Sequence, residues 1–131
     1  MEVKELLRVV TLRRGKVKPA EFRLREGERG LSVFARADDP GPAAVLEAVR
    51  EAGKQGDLGV AAIPAAYLWA LGLVLVRTPG GTPSPEVNRL HHEARLPLLR
   101  RLWLRLSFHN PRDYFNEELS PKICAVARLL E

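Results

Sequence analysis

Along the first half of the chain, short stretches of alternating apolar and polar residues are separated by glycine and proline, and this punctuation predicts the elements. Residues 6–12 (LLRVVTL) read as a first strand, with Val9 and Val10 at its β-branched centre. FRLR (22–25) sets Phe22 and Leu24 against Arg23 and Arg25, and LSVFAR (31–36) places Leu31 and Val33 on one face. The two segments are expected to form a hairpin whose turn ends in Gly30. ADDPGP (37–42) then interrupts the pattern. A helix is expected from Pro42, with Val45, Leu46 and Val49 as its stripe and Gly53 as its C-terminal cap. LGVAAI (58–63) is apolar throughout and reads as a central strand. PAAYLWALG, opened by Pro64 and closed by Gly72, reads as a short helix, and LVLV (73–76) as a further strand.

The second half changes period. TPGGTPSP (78–85) is a proline- and glycine-rich loop, and Ser84-Pro85-Glu86 opens a helix expected over 85–96. Another helix is expected over 98–108. Ser120-Pro121 opens a last one that carries Ile123, Val126, Ala127 and Leu130 on one face. The expected class is α+β, with about five short strands, four to five helices and a helical C-terminal third. Mixed α/β stays open, because the short link between the strands at 58–63 and 73–76 suits either a parallel crossover or antiparallel pairing. One domain is expected over 1–131: strand-rich at 1–77, a loop at 78–85, and helical at 86–131.

The stretch 88–112, NRLHHEARLPLLRRLWLRLSFHNPR, holds all the histidines of the chain. On a helix, Val87, Leu90, Ala94 and His91 share one narrow face, whereas His92 lies about 100° away from His91 on the solvated side. The two rings therefore diverge, and the spacing of a helical zinc pair is missing. No metal and no cofactor is expected. His91 reads as a core histidine bonded to a backbone carbonyl, and Arg89 with Glu93 as a surface ion pair. Over 98–108 a helical and a strand period compete; leucine, arginine and Pro97 favour helix. Leu98, Leu99, Leu102, Trp103 and Leu106 then fill an arc of about 140°, with Arg100, Arg101 and Arg105 opposite. Leu104 and Phe108 fall on the arginine side and, with Trp69, are candidates for a protein contact or a homo-oligomer.

Composition adds a lopsided charge map. The chain has 131 residues, 46% apolar and 28% charged, and carries a net charge of +5. Residues 89–112 alone carry +5 and residues 1–30 carry +4, while the remaining segments are net negative. The arginines at 100, 101 and 105, with Arg13, Arg14, Lys16 and Lys18, are expected to contact nucleic acid or an acidic protein. A non-catalytic binding or interaction module is the leading expectation. Sixteen arginines against five lysines, and ten prolines, fit either heat adaptation or a GC-rich genome. One cysteine, no signal-like N-terminus and no apolar run long enough for a membrane span lead to a soluble, cytoplasmic expectation with no membrane partner.

The motifs of serine hydrolases, P-loop enzymes, dinucleotide folds and zinc proteases are absent. The alternative expectation is a nucleotide-using enzyme, a transferase or nuclease-like toxin, built around His91, His92, Glu93 and Arg95. The order Arg8, Ser32, Glu93 resembles the triad of some ADP-ribosyltransferases. That resemblance covers three residues and no flanking motif. It implies that Arg8 orients a dinucleotide, Ser32 braces the site and Glu93 polarises the ribose. Glu93 falls on an expected helix, where that family would want a strand or loop. Cys124 reads as a buried thiol beside the apolar stripe of the last helix.

Overall fold

The computed structural model describes residues 3–130. Among them, six strands form one antiparallel sheet: Glu5–Thr11 (β1), Gly30–Ala35 (β2), Leu58–Pro64 (β3), Val74–Arg77 (β4), His91–Arg95 (β5) and Arg128–Leu130 (β6). Their spatial order is β4-β5-β2-β1-β3-β6, and every neighbouring pair runs antiparallel. The helices are Pro42–Glu51 (α1), Ala65–Ala70 (α2), Pro85–Asn88 (α3), Leu98–Leu106 (α4), Pro111–Tyr114 (α5) and Ser120–Val126 (α6). A 3-10 turn covers Pro19–Phe22, and a π turn covers Phe115–Leu119. The class is α+β. β3 and β4 do not pair: they run in the same direction with β1, β2 and β5 between them, so the link through α2 crosses over the sheet.

The sheet buries both faces, as alternation along β1 requires. Leu6 and Val10 join Phe22, Leu31, Val33, Ile63, Phe115 and Ile123 in one core, beneath the 3-10 turn and the C-terminal helices. Leu7 and Val9 point the other way and join Phe34, Val60 and Ala62 beneath α1 and α3, through Val45, Ala48 and Val87. Pro42, Pro85 and Pro111 stand in the first turn of their helices, where a missing N–H removes no hydrogen bond, and Pro121 stands in α6, which follows directly on the π turn.

Three expected elements differ. FRLR is not a strand: Phe22 closes the 3-10 turn, and Leu24 is held by a side chain instead of a ladder. The Asn116 amide accepts from Leu24 N at 2.6 Å and donates to Leu24 O at 3.0 Å. Its alternation is real, since Phe22 and Leu24 are buried, but the segment docks against the π turn. The helix expected over 85–96 stops after one turn, and HHEAR becomes β5, paired on both sides by β2 and β4. Two paired neighbours outweigh the absence of β-branched residues. The last helix ends at Val126, and Arg128–Leu130 adds a strand to β3 instead of a further helical turn. Loop 78–85 is a loop as expected, and Asn88 fastens it. Its Oδ1 accepts from Thr82 N at 2.9 Å and Thr82 Oγ1 at 2.6 Å, and its Nδ2 donates to Thr82 O at 2.8 Å.

One irregularity positions the site. β1 pairs with β3 along its whole length, from Glu5↔Pro64 to Thr11↔Leu58, and β2 pairs with β5 along five residues. Between β1 and β2 the ladder holds only Leu6↔Ala35 and Leu7↔Phe34. Beyond Leu7 the two central strands separate.

Candidate functional site

The parting of β1 and β2 is filled by Arg8. Its Nε donates to Glu21 O at 2.6 Å and a terminal nitrogen donates to Ser32 O at 2.8 Å. The guanidinium thus takes up a strand carbonyl that the interrupted ladder leaves over. Glu21, on the 3-10 turn, completes the plug: its Oε1 accepts from Thr11 N at 2.6 Å and lies 3.7 Å from Lys54 Nζ.

Arg8 lines a cleft of about 610 Å³ that also involves Glu21, Ser32, Lys54, Thr82 and His91. Its walls come from β1, β2, β5, the C-terminal end of α1 and the Thr82 loop. Both bonds of the Arg8 guanidinium go to neutral carbonyls, and among the described residues it forms no ion pair. Burial pushes Arg8 down to about 10, with the charges of Glu21 and Glu28 opposing that shift. Burial also lowers Lys54 below its usual 10.5, and the Arg8 charge adds to the effect. Two cations stand here with less compensation than burial demands.

Ser32 and His91 face each other across β2 and β5, with Ser32 Oγ 3.1 Å from His91 Nε2. The other ring nitrogen, Nδ1, lies 2.7 Å from Thr78 O and 2.9 Å from Thr78 Oγ1. A carbonyl only accepts, so Nδ1 carries the proton. In the neutral ring Nε2 is then the acceptor, and the Ser32 hydroxyl donates to it. This is the arrangement of an alcohol beside a base whose ring is oriented by a third group. Phe34 packs edge-on against the imidazole, with ring centroids 5.1 Å apart. The backbone carbonyl expected for His91 is there, but the residue lines the cleft as well as the interior.

The other expected residues divide. Glu93 is on a strand directly opposite Ser32, not on a helix. Its carboxylate is bonded to Arg95 at 2.9 Å, which replaces the expected Arg89 pair and holds it apart from the residues that line the cleft. His92 turns to the opposite side of β5, with Nδ1 donating to Leu90 O at 2.8 Å. Of the expected catalytic candidates the cleft therefore gathers Arg8 and Ser32, and joins them to His91, Lys54 and Glu21. Glu21 and Lys54 carry no local motif; only their convergence around Arg8 marks them.

The arginines of α4 turn to different neighbours. Helix α4 is turned over: Leu104 is buried, while Leu98, Leu99, Leu102, Trp103 and Leu106 are exposed. Arg100 donates to the Tyr114 hydroxyl at 3.2 Å and stacks on its ring. Arg101 is partly buried, with Nε shut away from any hydrogen-bond partner. Arg105 is exposed beside Arg29 and Arg112 in a crevice that also includes Arg101 and Glu28. Arg13 and Lys16 close a tight turn after β1 with Arg14 at its tip, and Cys124 Sγ donates to Val17 O at 3.8 Å, which sets Lys16 and Lys18, on either side of Val17, near α6. Cys124 is half-buried, and burial raises its thiol.

No protein-family model matches the chain, and neither a curated protein nor a solved structure does. Among the described residues no helix is long and apolar enough to cross a membrane, and no three His, Cys, Asp or Glu side chains cluster as metal ligands.

Proposed function

We propose that the cleft binds a small phosphorylated molecule of the nucleoside-diphosphate kind, anchored by Arg8 and Lys54, with Ser32 and His91 as the groups that move a proton. The observation that carries this reading is Arg8: a guanidinium at the wall of a 610 Å³ cleft, bonded only to neutral carbonyls. Desolvating a charge costs several kcal/mol, by order of magnitude; Glu21 and Glu28 offset part of that without a direct ion pair, and an anion in the cleft would offset more. The volume falls within the range of small-molecule sites. The reading keeps the nucleotide-using alternative raised by Arg8 and Ser32, but leaves out Glu93, to which the resemblance gave the polarising of a ribose, and takes His91 as the base. His91 Nε2 is placed to accept the Ser32 hydroxyl proton, and to return it, beside the bound ligand.

Calorimetric titration with pyrophosphate and ADP tests the reading. Saturable binding is expected, with affinity at least tenfold lower in Arg8→Met, which corresponds to about 1.4 kcal/mol. Arg8→Lys, which keeps the charge but not the planar fork, is expected between the two. Absence of binding to the unaltered protein, or equal binding by Arg8→Met, overturns it.

A second reading, nucleic acid or an acidic protein as partner, is supported by one crevice alone. Arg29, Arg101, Arg105 and Arg112 share about 280 Å³ with a single acid, Glu28. Binding of a DNA duplex that weakens steeply with salt, and is lost in Arg101→Glu/Arg105→Glu, is its expected signature. Salt-independent or undetectable binding removes it.

A further inference from the structure

Helix α4 carries its apolar stripe outward. The side chains at 98, 99, 102, 103 and 106 lie within about 140° of one another around the axis. Leu99 is 81% exposed, Leu106 77%, and Phe108, just past the helix end, 99%. Only Leu104 is buried, so the helix meets its own chain through the narrow side flanked by Arg100 and Arg101. With Leu98, Leu102 and Trp103, these residues offer on the order of 800 Å² of surface, which is what one partner contributes to a stable interface. Patches of this size on a chain mark interaction sites.

We infer that the occupant is a second copy of this chain, packed with α4 antiparallel to α4 about a two-fold axis through Leu102. The two ends of the helix are complementary. At the N-terminal end, a groove of about 650 Å³ is lined by Leu71, Leu96, Pro97, Leu99, Trp103 and the cation Arg100. At the C-terminal end stands the knob, Phe108, held out at φ 61, beside a crevice that carries Asp113, Glu117 and Glu118. Trp103 and Tyr114 border both hollows, so both lie on the same flank of α4. Antiparallel pairing about a two-fold brings like flank against like flank with the ends reversed. Each Phe108 then meets the other copy's groove, and each Arg100 meets the other copy's acidic cluster. Arg105 sits three residues past the axis in each copy, so the two Arg105 side chains are displaced to opposite ends. Because the residues used are solvent-exposed, their replacement leaves the folded chain intact.

Sedimentation equilibrium and symmetric cross-linking test this arrangement on the full chain. The protein is expected to be a dimer, and Leu99→Asp/Leu106→Asp a folded monomer. Phe108→Ala is expected to raise the dissociation constant at least tenfold. Arg100→Glu is expected to weaken the dimer, and adding Glu117→Arg/Glu118→Arg to restore it. In a Cys124→Ser background, Leu102→Cys is expected to oxidise to a covalent dimer and Leu98→Cys not, since position 98 meets 106 of the other copy. A monomer at millimolar concentration, a dimer unaffected by Leu99→Asp/Leu106→Asp, or equal cross-linking at 98 and 102 overturns the inference.

Discussion

Ser32 Oγ lies 3.1 Å from His91 Nε2 because the register of two strands makes them a diagonal pair on one face of the sheet. Phe34 stands opposite His91 and Glu93 opposite Ser32, so the contact spans a single step across the ladder. Thr78 O fixes the far side of the ring. The imidazole nitrogen spectrum is therefore expected to show the proton on Nδ1, in the unaltered protein and in Ser32→Ala alike. A proton on Nε2 would contradict the assignment of His91 as the acceptor.

That diagonal depends on β2 and β5 lying close at Gly30. A Cβ built at Gly30 would sit 2.5 Å from Arg95 Cγ and 2.8 Å from Ala94 O, and the second of these is backbone that cannot turn aside. Gly30→Ala is expected to lose about 1–3 kcal/mol in urea denaturation, the usual scale of overpacking. It should also weaken ligand binding in the cleft. Unchanged stability would mean that β5 is not seated on β2 as described.

The positions of these strands explain what could be read from the chain and what could not. β1 is legible from its β-branched centre at Val9 and Val10, β2 from the alternation of Leu31 and Val33, β3 from an unbroken apolar run, and α1 because proline and glycine mark its ends. HHEAR was not, since its strand character comes from two partners far away in sequence, and a local pattern contains neither. In α4 the periodicity was correct but the direction was not. A stripe of leucines identifies a face without saying whether the chain itself or another body covers it. Arg8 and Ser32 were picked out by residue order, while Glu21 and Lys54 become visible only once the gap between β1 and β2 draws them together.

Asn116 takes the place of a strand for Leu24, donating to its carbonyl and accepting from its amide. Asn116→Leu leaves both backbone groups without their partner, at an expected cost of about 1–3 kcal/mol in thermal or urea denaturation. Asn116→Asp, which retains the acceptor alone, is expected to fall between. Equal stability of all three proteins would show that the 22–25 segment is held by packing alone.

Lys54 supplies a pH signature. Burial lowers its pKa in the folded protein below 10.5, so between that lowered value and 10.5 the unfolded chain binds more protons than the folded one. Stability contributed by this group therefore rises with pH across that window. Lys54→Met is expected to flatten the rise in urea midpoints measured over the alkaline range. An anion in the cleft should also flatten it, by favouring the charged amine. A slope identical in both proteins would mean that Lys54 is not desolvated.

The central claim is that an anion completes the coordination of Arg8. The most direct measurement follows the Arg8 Nε–H resonance in a nitrogen-correlated NMR titration with pyrophosphate, assigned by its loss in Arg8→Lys. The account predicts a saturable shift of that resonance, accompanied by shifts at Ser32, Lys54 and His91, while the resonances of Arg13 and Arg14 stay in place. A titration that moves the exposed arginines and leaves Arg8 unchanged would contradict it.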